Sequence, residues 1–373
     1  MTSPFEGSNS LAPIQTVTPA RSPLPNRQLG LACPNCHQRL ETSSDSLTCA
    51  ACGTHWPIID GVPHFVSEFP YWGEIPQEQM REVNRHAAVG KWRSALLESR
   101  DPAVKRASRM ILNLDRANWH WLLDLPAESR VLDIGAGTGT NAHALALRFR
   151  DVVAMEPVLE RVHFMRQRFT QEGLSNIRIV RSSLWSLPFA EQSFDLIAMN
   201  GVLEWVAEGM SGDPHELQMD ALRRASRLLR PGGYLYLGIE NRIYPWYFVG
   251  YNDPHCGIPL VTVLPRAIAN WFAKRRGASG GYRNYLYSSR GYRKLLIAAG
   301  FADAELYAAI PSYNDPRFLI PLEGRKFRHF SRSFSGPSDP RPLRRAIKNT
   351  LLKTNLLPHL AYSFAIVARK QAA

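Results

Sequence analysis

The chain lacks a long apolar run: nothing in it approaches the ~20 residues needed to span a bilayer as a helix. No secretory leader is expected either. Residues 1–30 carry Pro4, Pro13, Pro19, Pro23 and Pro25 and no apolar core of sufficient length, so a disordered leader is expected there. Cysteine is scarce, with five in 373 residues, and four of them form two C-x-x-C pairs while Cys256 stands alone. That usage is wrong for a secreted disulfide scaffold and suits a metal site in a reducing compartment, so a cytoplasmic protein is expected. Acid is missing from residues 266–294, which hold eight Lys or Arg, and nearly missing from 321–353, which hold nine against Glu323 and Asp339. The net charge of +13 therefore belongs to the C-terminal third, and the remainder is close to neutral. An anionic partner is implied for that third alone. No internal repeat is present.

The rest of the sequence divides readily. Residues 31–66 are a cysteine-rich module, and 67–125 a linker and helical cap. Residues 126–373 are one larger domain with inserts at about 241–285 and 321–357. The cap shows apolar residues three and four apart in "MILNLDRANWHWLLDL". From "RVLDIG" onward, short β-rich runs alternate with helical runs, and "DAELYAAI" and "YSFAIVARK" read as the last two strands. Such alternation predicts an α/β fold, a Rossmann-like doubly wound sheet of seven mostly parallel strands.

The stretch "VLDIGAGTG" places Asp133, Gly135, Gly137 and Gly139 at a strand-to-helix turn. Glycines there let a ligand approach the backbone closely. Glu156 ends the next strand, where a carboxylate can accept both hydroxyls of a ribose. With "LPFAEQSFDLIAMNGVLEWV" and "LLRPGGYLYLGIE" at fourth- and fifth-strand distances, the series resembles the class I S-adenosylmethionine-dependent methyltransferases over roughly residues 105–310 and the final strand. The resemblance implies S-adenosylmethionine as cofactor. Its methionine part would be lined by Gly135, Gly137 and Gly139, and its ammonium anchored by Asp133. Glu156 would take the ribose hydroxyls, Pro157 would pack near the adenine, and Asn200 would line the sulfonium side. Where that family often has an aspartate accepting from the adenine amino group, this chain has Ser183, whose hydroxyl accepts a weaker bond.

A sulfonium methyl is already electrophilic, so the protein has chiefly to align the acceptor, and an oxygen acceptor also benefits from a base. The motif "MNGVLEW" is not the (D/N)-P-P-(Y/F) of methylases acting on amino groups of bases. The insert that follows the fifth strand offers Glu240 and His255 as candidate bases. It also offers Asn241, Arg242 and Asp253, and Trp246, Tyr247 and Tyr251 as stacking faces. A Glu240–Arg242 pair with His255 a plain loop residue is the alternative. His215 is a distant second candidate, and Cys256 reads as a small apolar residue. The series "GIENR…GIPL…LPR" with "YRNYLYSSRGYRKLLIAAGF" is similar to methyltransferases of bacterial surface-glycan assembly. It implies O-methylation of a sugar, a glycoconjugate or another small molecule, anionic or lipid-linked. The basic helices would then touch the inner membrane face. The interleaved Tyr and Arg also fit RNA, and some ribosomal RNA methyltransferases begin with a zinc module, so RNA base methylation is the competing expectation. A non-enzymatic cofactor-binding subunit is the third.

Cys33, Cys36, Cys49 and Cys52 have the spacing C-x2-C-x12-C-x2-C, which presents four thiolates tetrahedrally to Zn²⁺. Four thiolates leave no open position, so the ion would be structural. Redox chemistry at one C-x-x-C is the alternative. The tail "HWPIIDGVPHFV" looks like that of small zinc-ribbon proteins that activate methyltransferases. Docking of such a built-in partner through Trp56, Ile58, Ile59 and Phe65 is expected.

Overall fold

A computed structural model describes residues 30–323, 326, 327, 329, 330, 350 and 356–372. All but the last residue of the expected leader, most of the second insert and nearly all of the basic stretch 341–357 lie outside the described residues.

Strands β1 (Leu40–Thr42), β2 (Ser46–Cys49), β3 (His55–Ile59) and β4 (Val62–Pro63) form an antiparallel sheet in the order 1-2-3-4. The cap follows as helices α1 (Gln77–Val89), α2 (Trp92–Leu97) and α3 (Pro102–Leu112), then a 3-10 segment, Leu114–Leu122. Helix α3 starts where it does because Asp101 accepts from the backbone N–H of Ala103 and Val104 and Pro102 fills the first turn.

The central domain runs β5 (Arg130–Ile134), α4 (Thr140–Arg148), β6 (Asp151–Met155), α5 (Leu159–Gln171), β7 (Ile177–Val180), β8 (Phe194–Asn200), α6 (Pro214–Leu228) and β9 (Leu229–Glu240). After it come α7 (Pro245–Phe248), α8 (Arg266–Arg275), α9 (Ser289–Ala298), β10 (Phe301–Ser312), β11 (Asp315–Pro321) and β12 (Ser363–Lys370). The sheet order is β11-β10-β12-β9-β8-β5-β6-β7. The strands from β9 to β7 are parallel, and β12, β10 and β11 are antiparallel to their neighbours. The parallel strands read as continuous apolar runs because both faces are covered. Leu132, Val153 and Ile197 point to the layer that holds α6 and α9. Val131, Val152 and Leu196 point to the layer that holds α4 and α5.

Among the described residues this sheet has eight strands where seven are expected. The extra one, β11, carries Pro316 and Pro321, which mask a strand in sequence but are tolerated because β11 is an edge. The insert after β9 is likewise less irregular than expected: it holds α7, and α8 folds over a small core of its own with Ile258, Val261, Ala269, Ala273 and Tyr282.

The cysteine module docks on the opposite sheet edge. Phe65 N–H donates to the carbonyl of Arg181 (2.8 Å), and Arg181 N–H donates to that of Pro63 (2.9 Å), so the module's tail lies along the end of β7. Phe65 is buried in the main core with Trp56 and Ile58 against it. Ile59 is 48% exposed and takes no part, which corrects that expectation: its side chain falls on the outward face of β3.

Candidate active site

The strand-to-helix turn after β5 has Gly135, Gly137 and Gly139 all at positive φ. A Cβ at Gly135 would lie 2.8 Å from Val202, and one at Gly139 2.6 Å from the Phe169 ring. At Gly137 no atom would come closer than 3.8 Å, so that glycine keeps a face open. Glu156 braces the turn: its carboxylate accepts from Gly137 N–H (2.8 Å) and Val158 N–H (3.1 Å). Burial pushes its carboxyl upward, with Arg161 opposing. Asp133 is buried with Oδ2 unpartnered, and burial lifts it to about 7 against the pull of Arg116. A buried carboxylate with a free oxygen beside an open glycine turn fits the ammonium end of the expected cofactor.

The turn opens on a cavity of about 420 Å³. Gly135, Gly137, Asn200, Glu240 and His255 all line it, so the structure brings together the expected cofactor turn and both expected bases. Asp133, Gly139, Glu156 and Pro157 are not among the lining residues. Ser183 sits apart, its Oγ accepting from Trp185 N–H (3.3 Å). Asn200 ends β8 with its amide oxygen turned to Arg116 Nε (2.9 Å) and its NH₂ turned to the Tyr236 hydroxyl (3.2 Å). Opposite it, Gly238 is required, because a Cβ there would meet the Asn200 amide at 2.1 Å.

Beyond the ends of β8 and β9 lies a buried acidic cluster that meets the cavity through Glu240 and His255. His255 Nε2 lies 3.4 Å from Glu240 and 3.9 Å from Glu204, and its Nδ1 lies 3.4 Å from Asp253. All four side chains are 5% exposed or less. Asp253 is fixed by the Thr262 hydroxyl (2.8 Å), the Tyr282 hydroxyl (3.1 Å) and two backbone N–H groups. Burial pushes Glu204 up to about 8, with Glu240 adding to the rise and His255 opposing it. Burial would lower His255, but Asp253, Glu240 and Glu204 together outweigh it and hold the imidazole at about 11. Asp253 falls to about 2: burial alone would raise it, and the contacts with His255 prevail.

Arg242 does not pair with Glu240. Its guanidinium donates to the carbonyls of Thr262 (3.0 Å) and Leu264 (2.9 Å). His215 is exposed, bonded to the Tyr287 hydroxyl, and absent from the cavity wall. Burial raises the Cys256 thiol to about 12, which makes it inert. Trp246 and Tyr251 face solvent, whereas Tyr247 is buried.

Sequence reasoning passed over Glu204, Arg116, Trp72 and Trp205. Glu204 stood in "VLEW" directly after the fourth strand, which was the available signal. Trp72, in the linker, packs on Trp205 (4.4 Å) and under Arg161, so Trp72, Gly73 and Glu74 wall the cavity.

In the cysteine module the four sulfurs lie within 4.8 Å of one another, with Cys33–Cys52 at 3.6 Å and Cys36–Cys49 at 3.4 Å. A tetrahedral ion ~2.3 Å from each sulfur needs separations of about 3.8 Å, so the cluster fits Zn²⁺ closely. His55 turns away to the Thr48 hydroxyl.

Residues 132–237 match the family described as a methyltransferase domain. The module before it, residues 31–61, matches the Trm112p-like protein family. The chain is similar to the biotin biosynthesis bifunctional protein BioHC of Cellvibrio japonicus, at 33% identity over 131 residues, 34% of this chain and 24% of that protein. It is also similar to a malonyl-[acyl-carrier protein] O-methyltransferase of a Paenibacillus species, at 30% over 112 residues, 29% of this chain and 37% of that one. The chain thus spans well under half the length of these curated relatives. Among solved structures it resembles YcgJ of Bacillus subtilis, at 18% identity and a TM-score of 0.38, covering 69% of this chain and 99% of that one.

Proposed function

We propose that this chain methylates a hydroxyl of a sugar, a glycoconjugate or another small molecule, using S-adenosylmethionine. One observation carries the reading: Glu240 and His255, which belong to the buried Glu204–Glu240–His255–Asp253 group, line the same cavity as the open glycine turn. Gly135, Gly137, Asp133 and Asn200 hold the cofactor, with Glu156 bracing the turn on the ribose side. When bound, S-adenosylmethionine would supply a methyl on a cationic sulfur, whose bond to that carbon would break as the acceptor oxygen bonds to it. His255 is clamped between Asp253 and Glu240 and orients the cluster. Glu240 reaches the cavity and takes the hydroxyl proton, while Asp253 fixes the imidazole that orients it. Trp72 and Trp205 exclude water over the site.

The name of the O-methyltransferase relative agrees with an oxygen acceptor. The Tyr and Arg stretch favours RNA less than its sequence does, because Tyr282 and Tyr285 are buried and Arg283 is spent on the carbonyls of Ala207 and Gly212. On the insert, exposed Trp246, Phe248, Ile268 and Trp271, with Lys274 and Arg275, support peripheral contact with an anionic cytoplasmic membrane face bearing a lipid-linked acceptor. The four cysteines hold a structural Zn²⁺, and the ribbon serves as a built-in counterpart of a Trm112p-like partner, placing the Trp72 linker over the cavity. The test is incubation with methyl-labelled S-adenosylmethionine and fractionated extract. Label in a saccharide or lipid fraction, lost in Glu240→Gln, is expected; label in RNA overturns the reading.

A further inference from the structure

We infer that Glu204, Glu240 and His255 form a second metal site, distinct from the four cysteines, that binds one divalent cation of the Mn²⁺ class. Their donor atoms all lie within 4.8 Å of one another. Both oxygens of Glu204 and Oε2 of Glu240 lack a well-aligned hydrogen bond, although Tyr313 stands beside Glu204 and His255 beside Glu240, and the two side chains are fully buried and 5% exposed. Orphaned buried carboxylate oxygens are costly unless something positive meets them. Among the described residues no lysine or arginine pairs with either carboxylate or with Asp253, so three carboxylates converge on one imidazole.

The imidazole is prepared for the task. Asp253, itself locked by Thr262, Tyr282 and two backbone N–H groups, stands 3.4 Å from His255 Nδ1, which leaves Nε2 facing Glu204 and Glu240. A carboxylate behind a histidine that ligates through its other nitrogen is the usual outer-shell arrangement at metal sites. Separations of 3.4 and 3.9 Å are those of donors about 2.0–2.2 Å from a shared ion. Two carboxylates and one imidazole suit a hard divalent ion such as Mn²⁺. Three protein ligands leave coordination positions open, and Glu240 and His255 line the cavity that those positions face. A hydroxyl oxygen bound there would have its pKa lowered. That role rests on the proposed hydroxyl acceptor; the site itself does not.

The test is titration of the zinc-loaded full chain with Mn²⁺, read by electron paramagnetic resonance, with S-adenosylhomocysteine binding as the check of fold. One Mn²⁺ per chain with nitrogen coupling from an imidazole is expected. Glu204→Gln should weaken it at least tenfold, His255→Gln should remove the coupling, and Asp253→Asn should weaken binding about 10- to 100-fold. Equal Mn²⁺ uptake in wild type and Glu204→Gln overturns the site, as does bound Mn²⁺ without nitrogen coupling. The two readings fail separately. No Mn²⁺ binding with transfer still dependent on Glu240 sinks the cation alone. Mn²⁺ binding with no hydroxyl methylated sinks the hydroxyl acceptor alone.

Discussion

The molecule holds two clusters of metal-type donors, and they are built in opposite ways. The four thiols come from one stretch of twenty residues, Cys33 to Cys52, on two tight turns, and they close around their centre. Glu204, Glu240 and His255 come from the end of β8, the end of β9 and the insert beyond, and they open on a cavity. The first is written in spacing, and the proposed ion there would act on stability. The second exists only once the parallel sheet sets β8 beside β9, and its proposed work is on a ligand.

The sharpest way to break this contrast is to strip the thiol site. Cys49→Ser or a strong chelator should unfold the ribbon, since structural zinc is worth on the order of 10–16 kcal/mol to such modules. Zinc release together with proteolysis within residues 31–66 checks it. Glu204→Gln should leave that module intact.

The glycine turn offers a smaller, internal comparison. Gly139→Ala drives a Cβ to 2.6 Å from Phe169 at a positive φ and should cost roughly 2–4 kcal/mol in denaturant unfolding. Gly137→Ala meets nothing closer than 3.8 Å. It should cost only about 1–2 kcal/mol of stability while weakening cofactor binding, because its methyl enters the cavity.

Asp133 predicts a pH effect. Burial raises its folded value to about 7, so the unliganded domain holds that proton below pH 7. Two consequences have opposite signs. Stability contributed by the neutral form is lost as pH rises from the unfolded value toward about 7. Affinity for a cofactor ammonium, which needs the carboxylate, should rise about tenfold per unit below that pH and level off above it. S-adenosylhomocysteine titrations across this range check it, and Asp133→Asn should flatten the profile. The smallest effect is expected from Trp72→Ala. Loss of its contacts with Trp205 and Arg161 is worth about 0.5–1.5 kcal/mol, read as a few-fold rise in the KM for the cofactor.

What the sequence discloses follows range along the chain. The thiol spacing, the glycine turn and the strand–helix alternation are local patterns, and each recurs in the structure at the expected residues. Glu240 and His255 were legible because the fifth strand's end locates the mouth of such a site. Glu204 was not, because one glutamate after a fourth strand has no periodicity or spacing to mark it. Arg116 and Trp72 come from the cap and the linker, and only tertiary packing brings them to the cavity. β11 escaped notice because its prolines suppress the strand signal that its edge position tolerates.

The central claim is that the glycine turn holds the cofactor while the acidic cluster works on the acceptor. Comparing wild type and Glu240→Gln tests it most directly, measuring S-adenosylhomocysteine affinity and the rate of methyl transfer to the labelled acceptor on the same samples. The account predicts affinity unchanged within about twofold and transfer slower by about 10²–10⁴. Transfer at the wild-type rate, or a loss of cofactor affinity that matches the loss of rate, would contradict it.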